Sequence, residues 1–407
     1  MINDLDKFGI NMILLRKITI YKFLIFVIFF SSFFSYFLTN PLSFSLVALG
    51  ILLFFIIELI KPEKYSKQQW LLVLSFVPFS LIAMLYYIYN PFEGKYFSGY
   101  FLTFLLIPIL VYICCSNNFN SKEFKFFLSK NIAVFIFLQL LVCLAQVSKF
   151  TYGVGLSPSL EYENNFSITG TFYNPNDLAL TILLLSCIFI SINNEMSKLN
   201  IKLIWLMIFI IILLAGSRSA MLLILILYIS KNYNSIKNYG YLLILILIFV
   251  FFSTYFLNSF SDVGNRVSTR IESISEFYKN GLNSDESIGV RSESYIYFFK
   301  NIFNLGLGSG EIKNYNRYAN SANFDSLLFN NPHFLIVEIG YWLGWVGILT
   351  FIWGVGLIMI INKTNFILFF ILLISMMISS SVLGNFLFFT LFFLCIFAHN
   401  NLSKEIL

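Results

Sequence analysis

The sequence predicts an all-α polytopic membrane protein of about twelve transmembrane helices, with one long outward-facing loop between spans 9 and 10. Three observations carry that expectation. The 407 residues are 58% hydrophobic, 19% aromatic and only 11% charged, more apolar surface than a soluble domain can hide. Apolar runs long enough to cross a bilayer recur along the chain, whereas a transmembrane barrel would alternate in short segments. Lysines gather in every second connection, the pattern of loops that stay inside.

The candidate spans are 18–38, 42–60, 70–90, 98–115, 130–149, 175–193, 201–215, 218–231, 239–257, 334–361, 364–382 and 384–400. Together they make residues 1–407 a single integral membrane domain. The first run is too long for a cleaved leader and is expected to stay as a helix. Cys114, Cys115, Cys143, Cys187 and Cys395 all fall within apolar runs, which suits small core residues rather than disulfides or metal ligands.

Short-loop cations set the orientation. Arg16 and Lys17 on the tail, Lys61, Lys64 and Lys67, Lys122, Lys125 and Lys130, and Lys198 and Lys202 alternate with loops poor in lysine. Both termini are therefore expected in the cytoplasm, with the chain multi-pass in its membrane. The decisive point is Gly216-Ser217-Arg218. One long helix over 201–230 would bury Arg218 at mid-bilayer, at about 2.5–3.5 kcal/mol on insertion scales. It would also invert every later loop. Two short helices turning at Gly216 avoid both, and segment 258–333 then faces outward.

With that topology five of the six arginines (Arg218, Arg266, Arg270, Arg291 and Arg317) lie outside, opposite to the lysine bias. A guanidinium fork binds phosphate bidentately where lysine offers a point charge. Outer arginines thus suggest an anionic ligand at the membrane surface, with pairing to the loop's own acids such as Glu272 and Asp285 as the alternative.

His333 is one of two histidines and follows Pro332, read as the first turn of span 10. A helix N-terminus favours the neutral imidazole, the form a general base needs. Capping or headgroup contact is the competing role. Glu338 lies five residues on, about 140° round a regular helix, too far for a simple dyad. It remains a candidate as a carboxylate within an apolar run. Gly306-Leu307-Gly308-Ser309-Gly310 has the spacing of an anion-cradling turn, with Gly308 and Gly310 as donors of backbone N–H, and a tight turn near the membrane is the competing reading. No βαβ unit surrounds it, so the dinucleotide reading fails. No metal cluster, ATPase loop or nucleophile motif is found, no cofactor is implied, and the net charge of +6 follows topology rather than nucleic-acid binding.

Gly170-Thr171-Phe172-Tyr173-Asn174-Pro175-Asn176-Asp177, Gly216-Ser217-Arg218, Arg291 before the Gly306 turn, and Asn331-Pro332-His333 with Glu338-x-Gly340 and Gly344-x-x-Gly347 occur in order. This series resembles the bacterial O-antigen ligase and polysaccharide polymerase family, with residues 165–350 as its core. The resemblance implies a metal-independent, inverting glycosyltransferase that uses a glycan on undecaprenyl diphosphate. Arg218 and Arg291 would grip the diphosphate and His333 would deprotonate the acceptor, while Arg266, Arg270, Arg317, Gly308, Gly310, Asn176 and Glu338 would line the substrate. Phe334 departs from the polar residue that many members carry after the histidine. The leading expectation is a polymerase of lipid-linked repeat units, for O-antigen or capsule. The alternatives are a ligase that moves the glycan onto lipid A core, as in lipopolysaccharide, and a flippase of lipid-linked oligosaccharide. The partners implied are the lipid-linked donor, membrane lipid, and flippase and chain-length regulator proteins.

Overall fold

In the computed structural model the chain is described over residues 2–33, 40–60, 62–89, 97–116, 119, 121–148, 168–172, 174–192, 198–232, 294–308, 334–378, 383 and 386–399. Its elements are α1 (Ile2–Phe33), α2 (Asn40–Ile60), α3 (Lys67–Leu74), α4 (Val77–Tyr89), α5 (Phe97–Cys115), α6 (Lys122–Val147), α7 (Pro175–Ile192), α8 (Lys198–Ala215), α9 (Arg218–Asn232), α10 (Leu335–Ile361), α11 (Phe366–Ser375) and α12 (Phe386–His399). A helical stretch over 294–300 and a 3-10 turn, Ile302–Asn304, lie between α9 and α10. No strand occurs among the described residues. Four stretches, Lys67–Ile88, Lys122–Val147, Pro175–Ile192 and Leu335–Ile361, are long and apolar enough to cross a bilayer. The protein is an all-α membrane protein.

Eleven of the predicted spans coincide with helices; span 239–257 lies outside the described residues. The differences have local causes. Span 70–90 is two helices, because Ser75 turns its hydroxyl back to Leu72 O at 2.6 Å and ends α3. The fifth span begins at Lys122, ahead of its apolar run, because Ser121 caps it by accepting from Phe124 N–H at 3.2 Å. Span 364–382 holds the ten-residue helix α11, which ends where Ser375 turns its hydroxyl back to Leu372 O at 2.6 Å.

α7 is the hub. Every residue from Leu178 to Ile192 is buried, and α6, α8, α9 and α12 pack around it. A helix apolar on all sides belongs at the centre of such a bundle. The hairpin at Gly216 is formed as the arginine argument requires. Gly216 takes φ +66°, a left-handed value that suits glycine, and closes α8 by donating to Ile212 O at 3.2 Å. The Trp205 and Phe209 rings of α8 then meet Tyr228 of α9 at 5.2 and 5.7 Å, so the two helices run back to back.

Near the α2–α3 connection a polar knot ties three helices. Glu58 accepts from Tyr21 at 2.6 Å and Tyr112 at 2.7 Å, and its carboxylate pairs with Lys17 at 2.8 Å. Burial, then the Glu63 charge, pushes the phenol of Tyr65 well up, so it stays protonated and donates to Tyr112 O at 3.0 Å. Glu58 is therefore neutralised within the apolar bundle, as a buried carboxylate must be.

Candidate active site

Two constructions converge on the start of α10. The first is an arm, residues 294–308, laid along α10 in the same direction. Tyr295 meets the Phe334 ring edge-on at 5.6 Å. Phe298, buried, sits over Gly340, where an added Cβ would come within 2.7 Å of its ring, and lies 5.3 Å from the Tyr341 ring. The arm ends with Gly306 O accepting from Trp345 N–H at 3.2 Å.

That last contact is a backbone-on-backbone dock. Gly344 interrupts α10 with φ 62°, ψ −153°, a region open essentially to glycine alone. A Cβ there would stand 2.6 Å from Gly308 N, and a Cβ on Gly308 would stand 2.7 Å from the Trp342 carbonyl carbon. Tyr86 of α4 holds the same turn by donating its hydroxyl to Leu307 O. Gly308 gives its own N–H to Leu305 O at 2.9 Å. The glycine turn that the spacing marked as an anion cradle is thus packed into the break in α10.

The second construction pins the α10 entrance. Leu335 N–H donates to Met376 O at the end of α11 at 3.2 Å, and Glu338 accepts from Leu383 N–H at 3.3 Å. Twenty-seven residues of unbroken helix would run about 40 Å, while the ten of α11 run only about 15 Å. α10 must therefore bend for Leu335 to reach Met376, and Gly344 is where it does. α11 in turn packs on α9, whose first residue is Arg218.

Two readings shift here. Phe334 is extended at φ −150°, ψ 117°, as the N-cap, and α10 starts at Leu335, three residues after the proline read as its first turn. Phe334 is held there by burial against Tyr295. The 140° separation of Glu338 from His333 assumed helix through 333, so it loses its basis. Glu338 itself is 1% exposed and bonded to the backbone that leads into α12.

Among the other candidates, Asn176 is half-buried in the first turn of α7, its N–H held by Asn174 Oδ1 at 2.8 Å. Arg218 is described in its backbone alone. His333, Arg291, Arg266, Arg270, Arg317 and Gly310 lie outside the described residues. What the structure brings together is Tyr295, four residues after Arg291 in sequence, and Phe334, the residue that follows His333.

Gln139 and Gln146 were missed. Both are buried on α6, and they clamp the turn into α7. Gln146 Oε1 accepts from Thr169 N–H at 3.1 Å and Gly170 N–H at 2.9 Å, and its Nε2 donates to Gly170 O at 2.9 Å. Gln139 donates to Thr171 Oγ1 at 2.6 Å and accepts from Thr171 N–H at 3.2 Å. Gly170, at φ +58°, fits because a Cβ would strike Gln139 Oε1. Two amides seven residues apart in the apolar second half of α6 were the available signal. Gln146→Leu strands two buried N–H donors at about 1–3 kcal/mol each. Its thermal midpoint in detergent is expected well below that of Gln68→Leu, whose site is exposed on α3; equal midpoints would deny the clamp.

Residues 203–352 match the family described as O-antigen ligase, a stretch that contains the α8–α9 hairpin, the arm, and α10 through Gly344 and Trp345. No curated protein matches the chain. Residues 203–352 are therefore similar to the O-antigen ligase family, a likeness that supports an activity of the ligase or polymerase type.

Proposed function

We propose that the protein polymerises glycan repeat units carried on undecaprenyl diphosphate, by metal-independent inverting transfer on the outer face of a bacterial inner membrane. The acceptor hydroxyl of one unit attacks the anomeric carbon of another. The bond from that carbon to the diphosphate oxygen breaks, and the polyprenyl diphosphate leaves with its electron pair. His333 takes the acceptor's proton. Arg218 and Arg291 stabilise the charge that develops on the diphosphate, donors fixed in place being worth most where charge appears in the transition state. Arg266, Arg270 and Arg317 would contact the rest of the donor.

The observation that carries the reading is the arm's alignment on α10. Tyr295 on Phe334 ties the segment that follows Arg291 to the segment that follows His333. α11 joins the same entrance to the helix that begins at Arg218. Glu58, paired with Lys17 and two phenols, is committed to structure, which removes one of the two intramembrane carboxylates a transporter would use.

A ligase shares this site and differs in its acceptor. Purified protein given a lipid-diphosphate oligosaccharide alone is expected to build a ladder of products; a single transfer seen only when lipid A core is added would make it a ligase. Arg218→Lys keeps the charge and loses the fork, and initial rates with this donor are expected to fall by about 10²-fold or more. A rate near that of the unaltered protein would reduce Arg218 to a helix-end residue.

A further inference from the structure

The arm presents a second face, which neither the family match nor the proposed chemistry uses. Tyr295, Phe298 and Leu305 turn inward toward α10, while Ile296, Phe299, Phe303 and Leu307 point outward. Phe303 is 85% exposed and Leu307 67%, among the most exposed large apolar side chains described. Water at such a face would be costly for a segment that a polar loop could replace.

The surface on either side of this face is of one kind. On α4 the exposed residues Leu81, Met84, Leu85 and Ile88 form one helical stripe, and Tyr86 beside them is bonded to Leu307 O. On α10 the stripe is Val346, Leu349, Ile352 and Trp353, and its neighbour Trp345 lies 6.0 Å from the Phe303 ring. Both helices belong to stretches long and apolar enough to span a bilayer, so these stripes face acyl chains. Phe303 and Leu307 stand between them. Lys300 shares the outward row, and a lysine there keeps its stem in lipid and its ammonium among headgroups.

We infer that the 294–308 arm is an interfacial membrane anchor: its Ile296, Phe299, Phe303 and Leu307 face is immersed in the acyl region of one leaflet just below the headgroups. The partner is bilayer lipid, chosen over a second copy or a bound polyprenyl chain because the face continues the lipid-facing stripes without a step. Gly344 has a part in this, since its break is what seats the turn carrying Leu307 against α10. The anchor stands whether or not the chain transfers sugar, and its test reads no activity.

Phe303→Cys and Leu307→Cys alter outward side chains and leave the core alone, and all five native cysteines are buried. Each variant, labelled with a polarity-sensitive fluorophore, is placed in phosphatidylcholine vesicles with or without bromines on the acyl chains. Both are expected to be quenched by the brominated lipid as strongly as Leu349→Cys and to resist aqueous iodide, with Lys64→Cys showing the reverse. Iodide quenching at 303 and 307 without bromine quenching would overturn the anchor. So would disulfide-linked dimers through Cys at 303, or loss of bromine quenching when undecaprenyl diphosphate is added, each naming a different occupant.

Discussion

His333→Ala is expected to lose nearly all product formation while the protein still inserts and keeps its thermal midpoint. Loss of a positioned base costs about 10²- to 10⁴-fold, or about 3–5 kcal/mol of barrier. The other histidine, His399, closes α12, whereas it is Leu383, ahead of that helix, that bonds Glu338 at the α10 entrance. The measurement is the initial rate with the lipid-linked donor across pH. The unaltered protein should lose rate as pH falls through the imidazole range, because protonation removes the base, and the variant's residual rate should be flat there. Wild-type rates in the variant would take the base role from His333.

Gly344→Ala is expected to be the most damaging change of a single methyl. Its backbone angles alone cost a non-glycine residue about 1–3 kcal/mol. The added Cβ also meets the Gly306–Gly308 backbone, which cannot swing aside as a side chain does. The arm should leave the kink, Trp345 N–H should lose its acceptor, and the α10 entrance should lose its alignment. Gly356→Ala serves as the reference, because a Cβ there meets nothing within 4 Å. A midpoint and transfer rate for Gly344→Ala equal to those of Gly356→Ala would show that the dock is dispensable.

Much of the architecture was legible because bilayer physics leaves few options. Arg218 could not be left at mid-membrane, and from that alone the α8–α9 turn followed, with Trp205 and Tyr228 later found face to face. The apolar runs gave most helix positions within a few residues, the start of α6 at Lys122 and the break at Ser75 excepted. What escaped depends on distant partners. Phe334 is extended because Tyr295, thirty-nine residues earlier in the chain, packs on it, and nothing in Asn331-Pro332-His333-Phe334 records that. The Gly306 turn read as an anion cradle or a tight turn and Gly344 as one glycine of a motif, and neither stretch records that the two backbones need each other. Gln139 and Gln146 were visible as polar residues in α6, but their target, the Thr169–Thr171 backbone, was not. The candidate site was legible as a short list of ionisable groups, since so apolar a chain offers few, and the helix-wheel argument at His333 failed where regular helix stopped.

The central claim is that sugar is transferred from a polyprenyl diphosphate. The most direct test is the release of free undecaprenyl diphosphate when purified protein in vesicles meets its lipid-linked oligosaccharide in the presence of a chelator. The account predicts one diphosphate released for each new glycosidic bond, with the anomeric configuration inverted and the release lost in His333→Ala. Donor that crosses the vesicle membrane intact, with no diphosphate released, would contradict it.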